Sequence, residues 1–525
     1  MKKAVIAASA AVLTAGLVTA SPAEAKQAPS APAGQAKQLT KAVTVNNILK
    51  HLRQFQTIAN RNGGNRASGL PGHDASVDYV SRQLQGAGYK VTKQAFTFPF
   101  FQELSPTTLT VNGEEYETGA FTYSGSGDVS GPIVPIDLQI PPGAEPNSST
   151  SGCEASDFPA APTGDVIALV QRGTCNFEVK ADNAAAAGYD AVIVMNEGQE
   201  GRTDLVVGTL GVPKDIPVVG VSFADGSAIA ASASPTGTVF TETESDPNRT
   251  TYNVIADLPA KDLKKIKNPD QVVVVGAHLD SVTEGPGIND NGSGSAGILE
   301  IAKQLKATKL DRKLQRPVRF AFWGAEELGL LGAEHYVNTL TEEQLSQIYA
   351  NLNFDMIGSP NYARFVYDGD GSADGTPGGE DAGPTGSAEI EQIFTGYFDR
   401  KNLASEPTAF DGRSDYGPFI AVGIPAGGLF TGAEGVKTPE QVELYGGTAG
   451  VAYDPCYHQA CDTMSNISAQ ALYEMGDAAA YAVATLALSK KGLYPDGSRK
   501  AAKQGLKAKA KGKALGHRGH AGALR

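Results

Sequence analysis

QVVVVGAHLD, residues 271–280, is the most informative stretch of the chain for its architecture. Four consecutive valines show no alternation between a buried and an exposed face. A continuous β-branched run of this kind fits a strand covered on both sides, as parallel strands between helical layers are. The residues that follow alternate to match. NGSGSAGILEIAKQLKATKL (291–310) reads as a helix with Ile298, Leu299, Ile301, Ala302 and Leu305 on its inner side. VRFAFWGA (318–325) is the next strand and ELGLLGAEHYVNTL (327–340) the next helix. YANLNFDMIG (349–358) and VGIPAGGLF (422–430) are further strands, and SAQALYEMGDAAAYAVATLAL (468–488) is a closing helix. The expected class is α/β, a mainly parallel or mixed central sheet sandwiched by helices.

At the amino end, residues 1–25 read as an export signal. Lys2 and Lys3 precede an apolar stretch from Ala4 to Ala20, and Ala23-Glu24-Ala25 gives the small-residue cleavage pattern. Residues 26–44 are expected to be a linker or pro-segment. From Val45, helical spacing of Ile48, Leu49, Leu52, Phe55 and Ile58 opens the main domain, assigned to 45–118 plus 246–490. Residues 119–245 change character, turning rich in Gly, Pro, Ser and Thr, and form an insert. Within it, GDVIALVQRGTCNFEVKADNAAAAGYDAVIVMN (164–196) reads strand, turn, helix, strand and resembles the protease-associated (PA) domain, a small β-rich unit.

The formal charge is −13, but residues 490–525 hold eleven Lys/Arg against Asp496 alone. The rest is therefore strongly acidic, and no nucleic-acid partner is expected. The tail, 491–525, lacks apolar periodicity and is expected to be disordered. No segment after the signal is long and apolar enough to span a bilayer, so the mature protein is expected to be secreted, with no membrane partner, as a monomer. Four cysteines fit an exported chain; local pairing gives Cys153–Cys175 and Cys456–Cys461, and neither pair has the C-x-x-C spacing of a zinc site.

Polar residues gather just past the strand ends, where open α/β sheets bind ligands. They are His278 and Asp280, then Asp290, then Glu326 and Glu327, then Asp355, and late in the chain Tyr457 and His458. Of seven histidines, His517 and His520 lie in the tail, and His51 and His73 are assigned to the surface. His335 follows Glu327 by eight residues, about 12 Å along one helix, which leaves His278 and His458 as imidazole ligands. Two imidazoles and several carboxylates suit a pair of zinc ions if one carboxylate bridges. Metal charge makes the adjacent Glu326 and Glu327 tolerable, one binding metal and the other free as a base. H-E-x-x-H and G-x-S-x-G are both absent, and GSGSAG (292–297) lacks the Gly-Lys-Ser/Thr ending of a phosphate loop.

GAHLDSV (276–282), GINDNGSGSAG (287–297), FAFWGAEELGLLGAEHYV (320–337), NFDMIG (353–358), DGRSDYGPF (411–419) and DPCYHQACD (454–462) together resemble the secreted bacterial leucine-type aminopeptidases, two-zinc exopeptidases. The resemblance implies His278 and Asp355 on one zinc, Glu327 and His458 on the other, and Asp290 bridging. It implies Glu326 as general base, Asp280 orienting His278, Tyr457 donating to the oxyanion, and Arg413 and Phe430 at the substrate end. It also implies a cis bond between Asp290 and Asn291, and peptide N-termini as substrate. A structural Ca2+ stays open. Two alternatives remain: a carboxypeptidase of the same superfamily, for which Arg413 would meet the substrate carboxylate, and a non-catalytic binding protein, which would lack a ligand or the base.

Overall fold

The computed structural model describes residue 29, residues 32–373 and residues 382–494. The export-signal segment and the tail beyond 494 lie outside them. The Val272–His278 strand sits between Val318–Trp323 and Ile348–Phe354, parallel to both, with Val275 opposite Phe320 and Leu352. Ala426–Phe430 extends the sheet in parallel beyond Ile348–Phe354. Phe365–Tyr367 and Glu406–Thr408 finish that edge.

The absence of alternation in the valine run is explained by two apolar layers. Val273, Val275 and Ala277 face a core with residues of the Gly292–Ala307 and Ala469–Leu488 helices. Val274 faces the other way, toward Trp323, Tyr336 and Phe419. Each fully buried valine contributes about 1.5–3 kcal/mol. Gly276 is required here, because a Cβ on it would stand 2.7 Å from Trp323 Nε1. Four parallel strands thus end at one edge, and they deliver His278, Ala325, Asp355 and Phe430 to the same side of the molecule.

The insert is not joined through loops. Lys90–Val111 and Thr236–Asp257, 22 residues each, form one antiparallel ribbon from Lys90 opposite Asp257 to Val111 opposite Gly237. At its base, Thr236–Asp257 pairs with Val318–Trp323, and at its far end with Gly127–Pro135. The boundary placed at 245/246 therefore falls inside an unbroken strand. Beyond the ribbon, Gly127–Pro135, Ile167–Gln171, Ala191–Met195 and Val218–Val221 form a parallel sheet. The Phe177–Ala186 helix crosses over one face, and Cys153 is bonded to Cys175.

Several expectations are corrected. Residues 26–44 are not all linker: Ala33–Ala42 is a helix that buries Ala36 and Leu39 in the main core. The Pro-rich start masks an apolar pair at helical spacing. The domain runs past 490, since Leu493 and Tyr494 are buried and Tyr494 packs edge-on to Tyr349. The helix expected at 327–340 begins only at Leu331, because Leu330 is left-handed at φ 65°. His51 and His73 are buried, not superficial: His51 meets Tyr79 and Glu300, and His73 Nε2 lies 3.1 Å from the Tyr252 carbonyl.

Candidate active site

His278 is the last residue of its strand, and its Nδ1 lies 3.2 Å from the Asp280 carbonyl oxygen. A carbonyl only accepts, so Nδ1 carries a proton, and Nε2 is the atom that would turn to a metal. Asp290 precedes Asn291, whose side chain caps the Gly292–Ala307 helix by accepting from Gly294 N–H. The Asp290–Asn291 peptide is cis. Glu326 and Glu327 sit on a tight turn, entered through Ala325 at φ 53° and closed by Gly329 and Leu330 N–H on the Glu326 carbonyl, both 2.8 Å. His458 itself is left-handed (φ 56°), and so is Met356, next to Asp355 (φ 48°). Non-glycine residues held at positive φ concentrate at functional sites.

The donors converge. His278 Nε2 is 3.2 Å from Asp290 Oδ1 and 3.2 Å from Asp355 Oδ1. His458 Nε2 is 3.2 Å from Asp290 Oδ2 and 3.0 Å from Glu327 Oε2. Asp290 thus offers one oxygen toward each imidazole. Glu326 Oε2 lies 3.7 Å from His278 Nε2. Ligand atoms of His278, Asp290 and Glu327 fall within 4.8 Å of one another, and so do those of His278, Glu326 and Asp355.

A metal fits this set. Glu327 Oε1 is buried with no hydrogen-bond partner among the described residues. The donors are imidazole nitrogens and carboxylate oxygens, which zinc accepts, whereas calcium takes oxygen alone. The four cysteines are all in disulfides and offer no thiolate. A second acid cluster, Asp368, Asp370 and Glu391, is no comparable site, because Asp368 and Glu391 already accept main-chain N–H groups of Ser372, Ala373 and Gly369.

Crowded charge shifts the protonation of His278, Asp290, Glu326, Glu327 and His458. Burial alone would lower the His278 pKa, but the Glu326 and Asp355 charges outweigh it and hold it well above the ordinary value. Burial raises Glu326 well above the carboxylate range; His278 opposes this, while Asp415 and Asp355 reinforce it. Burial, then the Asp290 charge, pushes Glu327 up to about 7. Burial would raise Asp290, but hydrogen bonds from His278 and His458 hold it below the usual range. His458 is lifted to about 10 because its bonds to Asp290 and Glu327 outweigh burial.

The sign of this linkage is testable. In the metal-free protein His458 keeps a proton that the unfolded chain releases near 6.5, so its stabilising contribution is full below that pH and lost as pH climbs toward 10. Chelator-stripped protein is expected to melt at progressively lower temperature from pH 7 to 10, whereas zinc-loaded protein is expected to stay level, metal having displaced the proton. A flat metal-free profile counts against the paired imidazole.

The remaining predicted residues are placed as follows. Asp280 touches His278 through its carbonyl; its carboxylate is 3.7 Å from Nδ1 and accepts Glu326 N–H at 3.3 Å. The Tyr457 ring stacks on His458, centroids 3.9 Å apart, and burial beside Asp290 and Glu327 raises its phenol far above the ordinary value, so it stays a donor. Arg413 donates to Glu434 at 2.7 Å and to the Tyr457 hydroxyl at 3.4 Å. Phe430 is half-buried, 6.0 Å from Phe365 and packed against Tyr367 and Tyr416. Cys456 and Cys461 are bonded and bracket Tyr457 and His458. His335 stacks on Phe96 and is not among the converging donors.

Sequence reasoning missed the partners that hold these donors. Ser414 donates to Asp355 Oδ2 at 2.5 Å and accepts from Asn353 at 2.8 Å. Asp462 accepts Asn289 and Asp290 N–H at 2.9 and 3.0 Å. Both lie inside motifs read only for other residues.

An α/β sheet with nitrogen and oxygen donors gathered at its carboxyl edge places a candidate metal centre where such sheets bind ligands. Known proteins agree. The model for Peptidase family M28 matches residues 253–483, and that for the PA domain matches residues 129–229. An aminopeptidase of Pseudomonas aeruginosa is 48% identical over 465 residues, covering 86% of this chain and 83% of the relative. Leucine aminopeptidase 2 of Trichophyton rubrum is 39% identical over 459 residues, 86% of each. A solved zinc aminopeptidase of Bacillus subtilis superposes with a TM-score of 0.56 at 26% identity, covering 86% of this chain and 97% of that one. The chain belongs to peptidase family M28 and is a metallo-aminopeptidase carrying a PA domain.

Proposed function

We propose that this aminopeptidase is secreted, holds two zinc ions, and removes large hydrophobic residues from peptide N-termini with Glu326 as general base. The observation that carries the reading is Asp290, with one oxygen 3.2 Å from each of two imidazoles. In this reading His278 and Asp355 hold one ion, His458 and Glu327 the other, and Asp290 both. Zinc there supplies positive charge that acidifies water and polarises a carbonyl. Glu326 takes a proton from the attacking water and passes it to the leaving amine, its carboxylate standing 3.7 Å from His278 Nε2 beside the donor set. Tyr457 donates its hydroxyl to the developing oxyanion. Glu326 and Asp355 receive the cationic α-amine of the substrate, which restricts cleavage to the first residue.

Preference for a large apolar residue draws on the relative named for leucine and on the aromatic surroundings of Phe430. Secretion draws on the signal-like residues 1–25 and on two disulfides. Against the carboxypeptidase alternative stand the relatives and the solved structure, which are aminopeptidases. A panel of amino-acid p-nitroanilides decides: hydrolysis is expected to be fastest for leucine-like substrates, abolished by a chelator and restored by zinc. Cleavage of N-blocked peptides from their carboxyl end would overturn the reading.

A further inference from the structure

We propose that Arg66 and Ser68 are positioning residues for the metal centre. One short segment holds the loop between His278 and Asp290, and the turn that carries Glu326 and Glu327, at a fixed separation. The proposal rests on the metal-binding reading above.

Arg66 is a fully buried cation, and long charged side chains are almost never fully buried without a reason. Its hydrogen bonds go to main-chain oxygens: Nη1 to the Leu279 carbonyl, Nε to Pro286 at 2.8 Å and Nη2 to Gly287 at 2.5 Å. Its own N–H donates to Ser281 Oγ at 2.9 Å. Four contacts therefore span the loop that begins one residue after His278 and ends three before Asp290. The Gly287 carbonyl also accepts Gly292 N–H at 3.0 Å, so the oxygen that Arg66 grips is tied to the start of the helix just beyond Asp290. Gly287 is left-handed (φ 57°), and a Cβ there would stand 2.3 Å from the Asp290 carbonyl oxygen. The Gly287 backbone thus packs closely against the Asp290 carbonyl.

Two residues on, buried Ser68 accepts Ala325 N–H at 2.6 Å, while Thr251 donates to the same hydroxyl at 3.2 Å. Ala325 is the left-handed residue that aims Glu326 and Glu327. The segment is itself braced, with Asn65 donating to the Thr283 carbonyl at 3.1 Å and the Arg66 guanidinium lying 5.1 Å over the Phe55 ring. A planar guanidinium can serve three carbonyls at fixed angles; an ammonium on a flexible stem cannot.

The test uses full-length Arg66→Lys and Ser68→Ala. Zinc affinity of the metal-free protein is measured by competition with a fluorescent chelator, well below its melting temperature, alongside kcat and KM. Both variants are expected to bind zinc about 10–100-fold more weakly and to lose kcat to a similar degree, the range typical of partners that orient metal ligands. Wild-type zinc affinity in Ser68→Ala overturns the proposal, and so does wild-type affinity in Arg66→Lys, since charge without the fork would then suffice. Should Arg66→Lys fail to melt cooperatively, Ser68→Ala alone decides. A wild-type protein that binds no zinc defeats the metal-centre reading itself; zinc binding that is indifferent to these substitutions defeats only the positioning role.

Discussion

Glu326→Gln is expected to retain the zinc content of the wild type and to lose about 10²–10⁴-fold in kcat, the usual worth of a general base. The amide matches the carboxylate in shape, and Glu326 N–H can still donate to Asp280, so the turn should persist. What disappears is the ability to take a proton. Metal analysis matters as much as rate here, because ligand atoms of Glu326, His278 and Asp355 lie within 4.8 Å of one another. Loss of an ion from Glu326→Gln would make this carboxylate a ligand. Retention of both metal and activity would place the base elsewhere.

His458→Ala is expected to lose one zinc equivalent and more than about 100-fold in turnover, since even residues that only orient a ligand are worth about 10–100-fold. Its Nε2 meets both Glu327 and Asp290, so removing it strips one half of the centre of its nitrogen and leaves the His278 half in place. The fold should tolerate the change. His458 is 39% exposed on a loop closed by Cys456–Cys461, and water can enter the gap. Elemental analysis giving unchanged stoichiometry would remove His458 from the ligand set.

The donors were legible because parallel strands end on one edge, so a polar residue just after an apolar run has a predictable address. His278, Glu326, Glu327 and Asp355 could be placed by that rule alone. Their supports could not. Arg66 meets the loop it holds across 220 residues of sequence, and no local pattern marks such an approach. His51 is a different failure. It lies on the same helical face as Ile48, Leu52 and Phe55, and the period that found those residues also covers it. Counting histidine as polar hid the signal. The glutamate turn misled for a third reason: Leu330 stands at helical spacing to Ala333 and Val337, yet its left-handed backbone delays the helix, and Leu328 is exposed.

The paired strands that carry the PA domain give the molecule a mechanical character. A domain on two slack tethers would tumble independently, and nothing gripping it would be felt below. Here Val111 faces Gly237 at the outer end, while at the base Phe96, Phe98 and Phe100 pack on Ala325, the residue before the two glutamates. The outer domain is therefore tied by paired backbone, bulged at Phe98/Phe100 and twice more near Ser105, to the strand residues that pack under the glutamate turn.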